Sequence, residues 1–111
     1  MPPTPFTTTS LYEATKAEDG SGAVLRGAPL TPAQAIAHRR NGGDVVVCGP
    51  NPFDNSRDAR AVEAAVGSER FHAPHRDTAG PLALPHWQQR VPPPEGHTFF
   101  ELPNSKAIVT S

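Results

Sequence analysis

The sequence predicts an α+β domain in which helices come first and short strands follow, joined by much irregular, proline-rich backbone. Three observations carry that expectation. Two segments between residues 31 and 66 have helical spacing with recognisable caps. Three short runs, at 44–48, 97–102 and 106–109, have strand character. Fourteen prolines and nine glycines are spread through the 111 residues, so the elements must be short.

Residues 1–9 are Pro/Thr-rich and read as a disordered leader or linker, leaving 10–111 as a single domain. Ser10 to Thr15 fits a strand or a short helix equally well. Residues 16–29 carry Gly20, Gly22, Gly27 and Pro29 and read mainly as loop.

Thr31 then opens a helix. Its hydroxyl suits the N-cap, Pro32 suits the first helical position, and Gln34 completes a capping box. Ala33, Ile36 and Ala37 form an apolar stripe, Arg39 and Arg40 suit the negative end of the dipole, and Asn41-Gly42-Gly43 stops the helix. Asp44 to Cys48 is a β-branched run that predicts a buried strand, which Gly49-Pro50-Asn51-Pro52 ends. A second helix is expected over 55–66, capped by Asn55 or Ser56, with Ala59, Val62, Ala65 and Val66 on one face and Gly67 just past its end. Beyond residue 70 the prolines exclude a long helix. His97 to Leu102 and Lys106 to Val109 read as the last strands. Phe99 and Phe100 then face opposite sides, so one of them is core.

Composition excludes several classes. The apolar fraction is 36%, below the usual ~45–50%, so the core is small. One cysteine, Cys48, excludes an internal disulfide and reads as a small buried hydrophobe. No stretch approaches the ~20 apolar residues of a membrane helix. The first residues have no basic and apolar signal-peptide pattern. The net charge is −1. Residues 70–90, however, hold Arg70, His72, His75, Arg76, His86 and Arg90 against Asp77 alone, a local basic surface suited to phosphate.

The chemistry-bearing residues concentrate there. Four of the five histidines lie between 72 and 97, on segments bounded by proline and glycine. The spacing has no CxxC or HExxH, and His72 with His75 is a weak metal pair, so no metal site is assigned. A single cysteine also cannot supply the zinc deaminase signature.

Metal-independent RNA cleavage needs other parts: a base for the ribose 2′-OH, an acid for the leaving 5′-oxygen, and a cation for the charge growing on phosphorus. Histidine suits the first two and arginine the third. His75 and His97 are expected as the acid–base pair, with Arg90 and His86 on phosphate and Thr98 orienting an oxygen. Gln88, Arg76, Trp87 and Phe99 are expected to bind substrate, the aromatic rings by stacking on a base. No cofactor is expected. Taken singly, each histidine also reads as a surface or structural residue, and Trp87 also reads as core. His38, and Arg57 with Asp58 and Arg60, read as solvated helix positions, and Glu63 reads as helix surface in preference to a base reaching the site.

The segment Gly43-Asp44-Val45-Val46-Val47-Cys48-Gly49, followed by Asn55, Ala59, Arg60 and Glu63, resembles the C-terminal toxin domains of Rhs/YD-repeat and other bacterial polymorphic toxins. So does the run Pro74-His75, Ala79-Gly80-Pro81, Ala83-Leu84-Pro85-His86, Gln88 and Gly96-His97-Thr98-Phe99-Phe100. The likeness spans residues 30–101. It implies a domain secreted or injected as part of a larger effector, acting in the cytoplasm of a target cell and blocked by a cognate immunity protein. Many such domains are metal-independent RNases of the barnase–EndoU–colicin–RelE group. For the fold, the resemblance implies N-terminal helices packed on a small curved antiparallel sheet. For partners it implies an RNA substrate, transfer RNA included, with no membrane and a monomeric state. The near-neutral charge departs from the basic character usual in RNase toxins.

Three other readings stay open. One is a metal-dependent DNase toxin using His75 and His86. Another is a toxin that consumes NAD or transfers ADP-ribose, using Tyr12, Arg26 and Glu63. The last is a non-enzymatic interaction module.

Overall fold

The computed structural model describes residues 9–72, 80, 82–91 and 93–109, and of His72 the backbone only. In chain order the elements are β1 (Ser10–Lys16), β2 (Val24–Leu30), α1 (Pro32–Arg40), β3 (Asp44–Cys48), α2 (Pro52–Val66), β4 (Glu69–His72), β5 (His86–Gln89), β6 (Thr98–Phe100) and β7 (Ile108–Val109). The strands form one seven-stranded sheet in the order β4-β5-β6-β3-β1-β2-β7.

The α+β class holds, but two details differ from expectation. A β1–β2 hairpin precedes both helices, so the helices are not N-terminal. The sheet is mixed, because β3 pairs with β6 and β2 with β7 in parallel. The reason lies in the central strand. Val45, Val46 and Val47 of β3 are fully buried, as suits a strand covered on both faces. The chain leaves β3 through α2, β4 and β5 before β6 returns beside it, a connection long enough to restore the same direction.

Alternation along the strands divides the core. On the helix side, Leu11, Val45, Val47 and Phe100 pack with Ala35 of α1 and with Ala59 and Val62 of α2. On the other side, Ala14, Val24, Val46, Cys48 and Phe99 pack with Leu84 and Ala107. Phe99 and Phe100 thus face opposite ways, and both are buried. The segment 82–85 crosses this second face, tied at one end by Leu82 N–H to Ser21 O and at the other by Phe100 N–H to Pro85 O.

The first helix starts as expected: Thr31 and Gln34 form both bonds of the capping box, with Pro32 at the first turn. Its inward face is displaced from the expected stripe. Ala35 and Arg39 are buried, whereas Ala33 and Ala37 are exposed. The second helix starts at Pro52, not Asn55, because Asn51 is its N-cap and accepts from the Phe53 and Asp54 N–H groups. Asn55 is buried inside the helix and donates to Gly49 O and Glu101 O. Residues 16–29, read as loop, contain all of β2 but its last residue, and β4 and β5 lie where only irregular backbone was expected.

Two polar residues read as surface are interior. Glu63 is fully buried against Arg39. Asp58 is fully buried and accepts from Thr9 and Arg57. That bond also ties Thr9, assigned to the leader, to the fold. His38 is half-buried.

Candidate functional site

The face of the sheet opposite the helices brings three titratable residues together. Asp44 of β3, His97 just before β6 and His86 of β5 all alternate onto it. The pairings His86↔Phe99 and Val46↔Phe99 place β5, β6 and β3 side by side. The His86 and His97 rings meet edge to face, with centroids 4.6 Å apart. Phe99 packs against both, at 5.4 and 5.2 Å.

Asp44 anchors His97 twice. Its Oδ1 accepts the His97 backbone N–H at 2.8 Å and lies 3.3 Å from His97 Nδ1. Burial works to raise the Asp44 carboxyl, but the hydrogen bonds from His97 and the charges of His97 and Lys16 outweigh it, so the group is held below its ordinary value. With Nδ1 engaged by a carboxylate, Nε2 of His97 is the atom left to exchange protons. The exposed Lys16 ammonium stands 6.0 Å from the Phe99 ring centroid, on the same face.

His86 is 4% exposed, and its Nε2 pairs with Gln88 Oε1 at 3.0 Å. Gln88 also joins His97, Pro94, Glu95 and Gly96 around a cleft of about 80 Å³. The cleft thus opens at the His97 end of the pair.

A second layer holds this geometry from behind. Arg39 donates through Nε and Nη2 to the two oxygens of Glu63, at 2.8 and 2.9 Å. Its Nη1 reaches Gly43 O and Glu95 O, the carbonyls just before Asp44 and two residues before His97. Gly96 sits between, with φ +102°, and a Cβ there would come 2.7 Å from Arg39 Nη1. Only glycine fits both the backbone and the space. Glu63 also accepts from Thr98 Oγ1 at 2.6 Å and from Gln89 Nε2 at 3.1 Å, so β5 and β6 share the same buried carboxylate.

The residues expected at a site therefore separate. His86, His97, Gln88 and Phe99 come together. Thr98 is fully buried on the helix side, its hydroxyl committed to Glu63. Trp87 also faces the helices, donating to Ser56 Oγ and lying under the Arg60 guanidinium. Arg90 is exposed just past β5, where its amide bonds Ser68 O and its charge acts on Glu69. His75 and Arg76 lie outside the described residues. Tyr12 and Arg26 do meet, the guanidinium 4.3 Å from the ring centroid, but Glu63 is on the opposite side of the sheet. Among the described residues, no three His, Cys, Asp or Glu side chains gather as a metal ligand set, and no helix is long and apolar enough to cross a membrane.

Asp44, Lys16 and Arg39 were not singled out as site residues. Alternation was the usable signal for the first. Asp44, Val46 and Cys48 share a face, so a polar residue at the head of a buried strand stands at the rim of that face.

No family model, no curated protein and no solved structure matches this chain.

Proposed function

We propose that the chain is a metal-independent endoribonuclease, acting as the toxin domain of a larger bacterial effector and neutralised by an immunity protein. The observation that carries the reaction is the cluster of His97, His86 and Asp44 on one sheet face, with the Lys16 cation beside it. Two imidazoles 4.6 Å apart suit acid–base work on a single phosphodiester. The effector context rests on the sequence resemblance.

One imidazole takes the proton from the ribose 2′-OH as that oxygen attacks phosphorus. The other gives a proton to the departing 5′-oxygen. The P–O5′ bond breaks as the P–O2′ bond forms, leaving a 2′,3′-cyclic phosphate and a 5′-hydroxyl. Asp44 fixes the His97 tautomer and ring orientation. The side chain of His97 is 26% exposed and meets the substrate first. Lys16 offsets charge on the phosphoryl oxygens, the part expected of Arg90. Thr98 supports the site through Glu63 instead of touching an oxygen of the substrate.

Purified chain incubated with total bacterial RNA, plasmid DNA and NAD, each with and without EDTA, tests the reading. RNA cleavage in EDTA with a cyclic phosphate end is expected. Intact RNA, or loss of DNA or NAD instead, overturns it.

A further inference from the structure

At the far end of the same sheet face lies a second cavity of about 270 Å³, bounded by Ser10, Tyr12, Arg26, Cys48, Glu101 and Lys106. Leu84 packs with Val46 and Phe99 between this cavity and the histidines. The cavity has a built interior. The β1–β2 register shifts between Tyr12 and Ala14, so that Tyr12 faces Pro29 but Ala14 faces Arg26. That bulge places an extra β2 residue opposite β1 and re-aims the strand. Arg26 then comes to rest over the Tyr12 ring, a contact that holds a guanidinium in place.

The charges in the cavity favour an anion. Glu101 is its one carboxylate; it is buried and one oxygen already accepts the Ala107 N–H. Burial, with the Glu101 charge adding to it, pushes the Cys48 thiol up to about 11, so it is neutral at physiological pH. Arg26 and the exposed Lys106 give two cations against Glu101, and Ser10 and Tyr12 add hydroxyls. An arginine fork, a mobile ammonium and hydroxyl donors together match a phosphate group.

We propose that this cavity is a phosphate-binding subsite for single-stranded RNA, seating a nucleotide away from the scissile bond. The assignment rests on the ribonuclease reading. Cys48 lies four residues along β3 from Asp44, about 13 Å at the usual strand rise. That separation places the subsite beyond the dinucleotide at the reacting phosphate. The preferred substrate is therefore a longer single strand, and dinucleotides gain nothing from Arg26 or Lys106.

The test is amide NMR of the full chain with a 2′-O-methyl RNA hexamer, a 2′-O-methyl dinucleotide and inorganic phosphate. The hexamer should shift Ser10, Cys48 and Lys106 together with His97. Arg26→Gln and the surface change Lys106→Gln should each weaken hexamer binding about tenfold to a hundredfold, the worth of one charge-assisted hydrogen bond, and leave the dinucleotide unaffected. Hexamer binding that leaves these amides unmoved, or that both variants leave unchanged, overturns the subsite. So does a response to inorganic phosphate without one to the hexamer, which marks a free-phosphate site. Unmodified RNA run in parallel separates the two ideas. Cleavage without shifts at the cavity removes the subsite alone, and shifts without cleavage remove the ribonuclease reading alone.

Discussion

Arg39 and Glu63 form a two-pronged ion pair, fully buried, between α1 and α2. The pair is also the back wall of the histidine cluster, because the remaining Arg39 nitrogen holds the carbonyls of Gly43 and Glu95. Removing one partner strands a charge in the interior. Glu63→Leu should therefore cost about 3–5 kcal/mol, whereas Arg39→Met combined with Glu63→Leu should recover much of that loss. Urea unfolding of the two single variants and the double variant measures the coupling. Single variants within about 1 kcal/mol of the parent, the upper range for exposed pairs, would contradict a buried pair.

His97→Ala should lower the rate of RNA cleavage by about 10²–10⁴-fold, the usual contribution of a positioned acid or base. Asp44→Asn keeps the shape but not the charge, so it should lose part of that factor with little change in KM. Thr98→Val should act differently. It removes a buried bond to Glu63 and should show mainly as lost stability, about 1–3 kcal/mol for an acceptor left short of a donor. A Thr98→Val variant of normal stability with a large loss in kcat would return Thr98 to the reacting atoms.

Acid should weaken the Asp44 anchor. Its carboxyl sits below the ordinary 3.8 in the folded chain, so folding favours the ionised form. The stabilisation is complete above the unfolded value and disappears as pH falls through the lower folded value. The stability difference between parent and Asp44→Asn should shrink as pH falls below 3.8. Urea midpoints taken from pH 5 down to pH 2 check this, and a difference that grows across the acid end of that range has the wrong sign.

Asn51 caps α2 with two accepted N–H bonds. Asn51→Ala should cost about 1 kcal/mol, and Asn51→Asp should cost little, since it keeps the acceptor and suits the helix dipole. Thermal melts of both variants give the comparison.

Legibility followed locality. The Thr31-Pro32-Gln34 start was plain because the capping box lies within four residues. The same logic applied to Asn51-Pro52, but the prolines on either side of Asn51 read as a strand terminator and hid the cap. The valines of β3 announced a buried strand. β2, with Gly27 and Pro29 inside it, has turn-like composition and is a strand only because β1 and β7 pair with it. Glu63 could not be placed from its own neighbourhood, since its partners lie 24, 26 and 35 residues away. The clustering of histidines in one stretch pointed to His97 paired with His75, with His86 on phosphate; the contact between the His86 and His97 rings comes from the pairing of β5 with β6. The face each neighbour takes depends on strand register, which put Trp87 and Thr98 on the other side.

The most direct test of the central claim is cleavage of total RNA in EDTA by the parent chain and by folded His97→Ala and His86→Ala variants, with end-group analysis of the products. The account predicts 2′,3′-cyclic phosphate ends from the parent and a loss of at least about 10²-fold in each variant. Cleavage at parental rates by both variants, or no cleavage by the parent, contradicts it.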